Sequence, residues 1–105
     1  MNIKDYEIAK ELKERLSKTV QLVDFKVFGS RARGDADEYS DMDVFVEDAL
    51  LDKQLKDNIL DVVWEVGFEN SLVICPLIFT SYEIEKTSAR SSSIVRTIME
   101  EGVAV

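Results

Sequence analysis

Two short stretches of alternating residues, joined by a polar loop, constrain the fold of this chain more than any other feature. The first, LVDFKVFG, alternates apolar and polar residues and stops at Gly29, which is typical of a strand that ends in a turn. The second, DMDVFVE, alternates the apolar Met42, Val44 and Val46 with Asp41, Asp43, Phe45 and Glu47. Because residues two apart on a strand point to the same side of a sheet, the second strand is predicted to have one apolar and one largely acidic face.

Helical spacing of apolar residues covers much of the remaining chain. One amphipathic helix is predicted over about residues 3 to 18, and a second begins near Leu51 and ends at Gly67, where glycine would form the cap. The run SLVICPLIF is predicted to be a third strand, covered on both faces. Pro76 has no N–H to donate, which places this strand at a sheet edge or at a bulge.

The end of the chain adds two helical segments. Thr80 and Glu83 have the spacing of a capping box and open a short helical turn. The polar hinge TSARSSS follows, and a final helix ends at Gly102. The predicted order is α-β-β-α-β-α-α within a single domain, residues 1–105. The expected fold class is α+β, a short mixed β-sheet with helices packed on one face.

Composition excludes several classes of function. A formal net charge of −8 argues against direct polynucleotide binding, which draws on clustered Lys and Arg. The absence of histidine removes Ser-His and Cys-His dyads and the usual zinc sites, and leaves carboxylates as metal ligands. The lone Cys75 is interpreted as a small buried hydrophobe. With no signal peptide and no apolar run of ~20 residues, a cytoplasmic protein without membrane contact is expected.

The first half of the loop between the two strands is suited to anions. Gly29 lets the backbone approach a ligand without a Cβ in the way. Ser30 is predicted to begin a short helical turn whose free N–H groups suit phosphate oxygens. Arg31 and Arg33 can add charge-assisted hydrogen bonds to the same oxygens.

The second half of the loop is suited to a cation. Ten residues separate Ser30 from Asp41, and Asp41 and Asp43 share a strand face with Cα atoms roughly 6.6 Å apart. Such a pair can hold Mg²⁺ together with substrate phosphates. Acidic pairs of this spacing also occur elsewhere in the chain, so a solvated acidic turn stays open as an alternative at this point. A calcium-binding EF-hand loop is excluded, because the sixth position counted from Asp35 is Ser40 and the twelfth is Val46.

The spacing Gly29-Ser30, ten residues, Asp41-x-Asp43, filled here by GSRARG and SDMD, resembles the signature of the DNA polymerase β-like nucleotidyltransferase superfamily, especially its minimal nucleotidyltransferase proteins. The match is dense over residues 25 to 47, and VICPLIFTSYEIEK and IVRTIMEEGVAV extend a looser likeness over most of the chain. The resemblance implies the nucleotidyltransferase fold, with the Gly-Ser loop and the two aspartates on adjacent strands. It also implies transfer of a nucleoside monophosphate from a triphosphate.

The resemblance assigns roles residue by residue. Asp41 and Asp43 are the expected catalytic residues and would hold Mg²⁺, and the Gly29-Ser30 turn would hold the β- and γ-phosphates. Arg31 and Arg33 fit a phosphate role by their chemistry. ATP is the expected substrate, with AMP as the group transferred. Minimal proteins of this kind are often paired, as antitoxins, with a small helical HEPN-type protein, which makes such a protein the expected partner; a homo-oligomer is also compatible with the sequence.

One departure from the family pattern limits the expected activity. Active members usually carry a third carboxylate on a later strand, and SLVICPLIF has none. Glu47 lies ~20 Å beyond Asp41 at strand rise, and Glu69 precedes the third strand, so neither is a convincing substitute. Two alternatives therefore accompany the enzyme hypothesis: a weak or inactive nucleotide-binding, antitoxin-like protein that acts by binding its partner, and a purely acidic interaction module.

Overall fold

The computed structural model describes residues 1–105, and its elements follow an order close to the predicted one. They are α1 (Ile3–Thr19), β1 (Leu22–Phe28), α2 (Gly29–Arg33), β2 (Met42–Asp48), α3 (Lys53–Glu69), β3 (Ile74–Thr80), α4 (Ser81–Lys86), a 3₁₀ turn (Ser88–Ser91), α5 (Ser93–Glu101) and β4 (Val103–Ala104). The predicted capping box of α4 is confirmed, since the side chains of Thr80 and Glu83 each accept from the backbone N–H of the other. No helix combines the length and apolar character that crossing a membrane would require.

The four strands form one mixed sheet in the order β3-β2-β1-β4. β1 runs antiparallel to β2 and β4, whereas β2 and β3 are parallel and α3 connects them. A parallel pair requires such a crossover, usually a helix. β3 lies at an edge, which confirms the position expected from Pro76. β4 was not predicted, because two residues are too few to show an alternating pattern.

The apolar face of β2 lies in the main hydrophobic core. Met42, Val44 and Val46 are fully buried there. The core is completed by side chains of the two long helices, α1 and α3: Leu12, Leu16, Ile59, Val63 and Val66. Removing this apolar surface from water, at about 25 cal/mol per Å², fixes the two helices against the sheet. The helical stripes read from the sequence therefore cover this face as expected.

The acidic face of β2 carries a smaller second layer. Phe45 stands in the middle of this face and is fully buried by Ile84 of α4 together with Val95 and Ile98 of α5. A large aromatic ring among acidic neighbours needs an apolar cover, and the two short helices supply it. The predicted α+β class with a short mixed sheet is confirmed, and the structure extends the helical cover from one face to both.

The prediction that Gly67 ends the second long helix is wrong. α3 continues to Glu69, and Gly67 is buried inside its last turn. A Cβ at this position would lie 2.5 Å from the carbonyl oxygen of Leu72, and the N–H of Leu72 donates to the Gly67 carbonyl over 2.9 Å. Glycine is therefore required because the chain folds back closely over the helix, while the helix itself is capped at Asn70.

Candidate functional site

The Gly-Ser turn and the acidic strand meet across the β1–β2 pair. Phe28 at the end of β1 lies opposite Asp43 in the antiparallel register, so Gly29 begins α2 beside that carboxylate. Gly29 has a φ of +75°, and a Cβ built on it would lie 2.5 Å from Asp43 Oδ2. Both the left-handed backbone and the close carboxylate require glycine at this position. The structure therefore brings the two halves of the polar loop together.

Asp41 immediately precedes β2 and is exposed, and Asp43 is the second residue of β2 and is half-buried. Burial raises the pKa of Asp43, the charge of Asp41 raises it further, and the charge of Arg33 lowers it. The two carboxylates thus repel each other in a partly desolvated place. A bound cation would relieve that repulsion.

The chemistry of this donor set fits Mg²⁺. The two carboxylates offer hard oxygen ligands, and the structure contains no group of three or more His, Cys, Asp or Glu side chains placed to hold a metal ion. Mg²⁺ commonly binds through one or two carboxylates and completes its shell with water and substrate phosphates. Asp41 and Asp43 could therefore supply part of a Mg²⁺ shell, with a triphosphate supplying more of it.

Cys75 lies beside the acidic pair, which the sequence interpretation missed. It is opposite Asp43 in the parallel β2–β3 register, and its Sγ lies 3.7 Å from Asp41 Oδ2. Burial and the charges of Asp41 and Asp43 raise the pKa of the thiol. The signal that could have located it is the helix between the two strands. Such a helix predicts parallel neighbours and so places SLVICPLIF beside DMDVFVE.

The start of α2 remains available to an anion. Phe28, the residue before the helix, makes no side-chain cap, so no such cap uses the first-turn N–H groups around Ser30. Arg33 is half-exposed, and its Nε donates to Asp35 over 3.2 Å. Since the charge of Arg33 also lowers the pKa of Asp43, this side chain acts at the same place as the acidic pair.

Arg31, unlike Arg33, makes several contacts within the chain. Its guanidinium is buried and donates to Asp5 Oδ1 over 2.7 Å, to the carbonyl of Ser40 over 2.9 Å and to that of Asp37 over 3.3 Å. These bonds tie the polar loop to α1. The sequence could not separate the two arginines, because the acidic partner of Arg31 lies 26 residues away along the chain.

Neither of the other acids considered completes the pair. Glu47 is buried and accepts the Ser81 hydroxyl over 2.9 Å, and Phe45 stands between it and the aspartates on the same face. Glu69 pairs with Arg15 over 2.8 Å. The structure thus offers no third carboxylate at the site.

The acidic pair faces an open surface. Neither Asp41 nor Asp43 lines any of five cavities found elsewhere in the molecule. Asp41 is exposed and Asp43 half-buried, so solvent reaches the pair.

Comparison with known proteins finds one family model and several solved structures that match the chain. A family model described as a nucleotidyltransferase domain matches residues 6–105. Among solved structures, the chain resembles a toxin–antitoxin crystal structure with AMP-PNP, at 18% identity over 90% of this chain and 70% of that chain, with a TM-score of 0.62. It also resembles the toxin–antitoxin MntA-HpeT mutant, at 16% identity over 90% and 69% of the two chains, with a TM-score of 0.63.

A third likeness is to a candidate nucleotidyltransferase from Sulfolobus solfataricus, at 21% identity over 93% of this chain and 76% of that chain, with a TM-score of 0.53. No curated protein matches the chain at a significant level. At these identities the solved structures show a shared fold.

Proposed function

Because the chain belongs to the family of nucleotidyltransferase domains, we propose that it transfers AMP from ATP to an acceptor side chain on a partner protein. The observation that carries the proposal is the contact between Gly29 and Asp43, where a single added carbon atom would collide with the carboxylate. A metal-bound triphosphate needs a phosphate-binding turn and metal-binding carboxylates at the same place. In this chain the turn and the carboxylates are adjacent.

The proposed roles follow from the positions of the side chains. Asp41 and Asp43 hold Mg²⁺, which when bound offsets negative charge on the phosphates. The Gly29-Ser30 turn offers backbone N–H groups to the β- and γ-phosphates, and Arg33 adds a positive charge beside them. The acceptor oxygen attacks the α-phosphorus, the bond from that phosphorus to the bridging oxygen breaks, and pyrophosphate leaves with the electron pair. The acceptor proton passes to solvent or to a group on the partner.

The proposed acceptor is a small helical protein of the HEPN type, with this chain as the antitoxin. The exposure of Asp41 and the partial exposure of Asp43 support an acceptor supplied from outside. Two solved structures with this fold are toxin–antitoxin structures, and one of them is with AMP-PNP. These likenesses support a nucleotide and a partner protein acting together.

A second function is favoured by one specific observation. The chain has no third carboxylate at the site, and general-base help of that kind is commonly worth about 10²–10⁴-fold in rate. A protein that binds Mg-ATP and neutralises its partner by binding alone would not need that acid.

The two functions are separated by following the α-phosphate. The chain is incubated with Mg²⁺ and α-labelled ATP, alone and with the product of the adjacent gene, and label on each protein is measured. The transferase predicts slow self-labelling and rapid labelling of the partner. Complex formation without label on either protein would favour action by binding alone and would contradict the transferase.

Cys75→Asp sharpens this experiment. The substitution would place a third carboxylate opposite Asp43, where the thiol now stands 3.7 Å from Asp41. If the absent acid limits the rate, partner labelling should rise by about tenfold or more, within the range of general-base help. Cys75→Ser, which adds no charge, is the matched control and should leave the rate nearly unchanged.

A further inference from the structure

α3 exposes an apolar stripe that the proposed chemistry does not use. Leu60, Trp64 and Phe68 are spaced by four residues and are exposed to 41%, 67% and 72%. The Trp64 and Phe68 rings stack with their centroids 5.1 Å apart and their planes within 10° of parallel. Val73, just before β3, is also 63% exposed. These four residues, called here the α3 stripe, form a contiguous apolar surface of a kind that marks an interaction site.

The α3 stripe borders a cavity large enough to receive a side chain. The cavity has a volume of about 450 Å³ and is floored by Val63, Gly67, Leu72 and Ile74. Gly67 contributes by having no side chain, because the chain crosses it closely at Leu72. A protruding apolar residue of a partner could therefore enter between α3 and the start of β3.

Acidic side chains next to the α3 stripe favour a partner with basic residues. Asp57, Asp61 and Glu65 are exposed and form a second row on α3 next to the stripe. None of them takes part in an ion pair within the chain, whereas Glu69, one turn further, pairs with Arg15. An apolar surface with an unpaired acidic border complements an apolar surface with a basic border.

The same charges disfavour the other occupants. A second copy of the chain, with a net charge of −8, would bring like charges together. An anionic membrane surface or a nucleic-acid backbone would meet the same repulsion. We infer that the α3 stripe binds a partner protein through an amphipathic helix whose apolar face is flanked by Lys or Arg.

The stripe also lies next to the proposed transfer site. The carbonyl of Val73 accepts the N–H of Met42 over 2.9 Å, which fixes the end of the stripe beside the residue between Asp41 and Asp43. Cys75, two residues after Val73, lies 3.7 Å from Asp41 Oδ2. A partner seated on the stripe would therefore reach the edge of the sheet at which Asp41 lies. This step rests on the proposed function, whereas binding at the stripe does not.

Trp64 allows a direct test, because it is the only tryptophan in the chain. The probe is a synthetic helical peptide of Leu and Lys, about five turns long, with one apolar and one basic face. The peptide should shift Trp64 emission to shorter wavelength and should bind more weakly as salt is added. A peptide of the same pattern with Glu in place of Lys should bind at least about tenfold more weakly. Equal binding of the two peptides, or no emission change with the Lys peptide, would overturn the inference.

Matched variants locate the binding. The double reversal Asp61→Lys/Glu65→Lys should weaken the Lys peptide at least about tenfold, and Phe68→Asp should abolish the emission shift. Glu7→Lys/Glu14→Lys makes the same charge change at exposed positions on α1 and should have little effect. If both reversals weakened binding equally, attraction to the net charge would explain the data and the inference would fail.

Two further measurements separate the remaining occupants and the proposed function. A dimer in sedimentation that Phe68→Asp dissociates would assign the stripe to a second copy, and an emission shift with phosphatidylcholine vesicles would assign it to lipid; either result contradicts the inference. Asp43→Asn should weaken Mg-ATP binding and leave peptide binding unchanged. Failure of the wild-type protein to bind Mg-ATP, with peptide binding intact, would contradict the proposed function alone.

Discussion

The two ends of β2 carry acidic residues in opposite surroundings. At its start, Asp41 is exposed and Asp43 half-buried, beside a glycine turn and the charge of Arg33. At its end, Asp48 is fully buried, and neither of its carboxylate oxygens has a hydrogen-bond partner. Burial, followed by the charge of Glu47, raises the pKa of Asp48 to about 6.

The comparison shows that a raised carboxyl pKa does not by itself identify a functional site. Burial is the largest cause at both Asp43 and Asp48. What differs is access, because a cation can reach Asp43 from solvent, whereas only a proton can relieve Asp48 in its closed surroundings. Substitutions at the start of the strand should therefore change ligand binding. Substitutions at its end should change how stability depends on pH.

The largest expected effect is at the start of the strand. Gly29→Ala should reduce Mg-ATP affinity by at least about 10³-fold, roughly 4 kcal/mol, because the added Cβ meets Asp43 Oδ2 at 2.5 Å. Gly34→Ala is the matched control, since Gly34 also has a positive φ, +86°, but its nearest neighbour is 4.0 Å away. Both changes cost about 1–2 kcal/mol of backbone strain. Calorimetry should show a large loss for Gly29→Ala only, and equal losses would remove the special role of the Gly29–Asp43 contact.

The end of the strand should produce the next largest effect, on stability. The pKa of Asp48 rises from 3.8 to about 6 on folding, so the folded state binds the proton more tightly than the unfolded state. The free energy of unfolding should therefore fall by up to about 3 kcal/mol as pH rises from about 4 to about 6. Above that range Asp48 is ionised in both the folded and the unfolded state, so its destabilising contribution to the free energy of unfolding stays constant.

Asp48→Asn tests this account by removing the charge. Urea unfolding above about pH 7 should show a more stable variant, and most of the stability change between about pH 4 and 6 should disappear. Asp43→Asn is the matched control at the other end of the strand. Its half-buried carboxyl should contribute much less to that pH dependence. A wild-type stability that rises over the same range would contradict the assignment to Asp48.

Asp41→Asn and Asp43→Asn should each weaken Mg-dependent ATP binding by about 2 kcal/mol, the scale of a lost charge-assisted interaction. Binding should also weaken as pH falls, because protons compete for Asp43, whose pKa is raised. Asp61→Asn makes the same charge change on α3 and should bind ATP normally. Equal ATP affinity in the wild type and in the Asp41→Asn/Asp43→Asn double variant would remove the metal-site proposal.

The same contrast explains what the sequence could and could not predict. Alternation and helical spacing depend on neighbours along the chain, so β1, β2, α1 and the mixed α+β class were predictable. The roles of Arg31 and Cys75 depend on Asp5 and Asp41, which lie 26 and 34 residues away. Asp48 was not singled out, because it loses contact with solvent only when the helices pack on the sheet. The role of Gly67 was predicted wrongly because glycine occurs both at helix ends and where another part of the chain passes close to a helix. The local sequence does not distinguish these two cases.

The smallest expected effect concerns Ser30, and it tests what the turn contributes. The proposed work of the turn is done by backbone N–H groups, which Phe28 leaves without a side-chain cap. Ser30→Ala keeps those groups and removes one hydroxyl, so Mg-ATP binding should weaken by only about 1 kcal/mol, roughly fivefold. Ser81→Ala removes a hydroxyl at the other end of the strand, where Ser81 donates to Glu47 over 2.9 Å. It should lower stability and leave ATP affinity unchanged. If Ser30→Ala were as damaging as Gly29→Ala, the hydroxyl and not the backbone would dominate phosphate binding, and the contact between Gly29 and Asp43 would lose its central place.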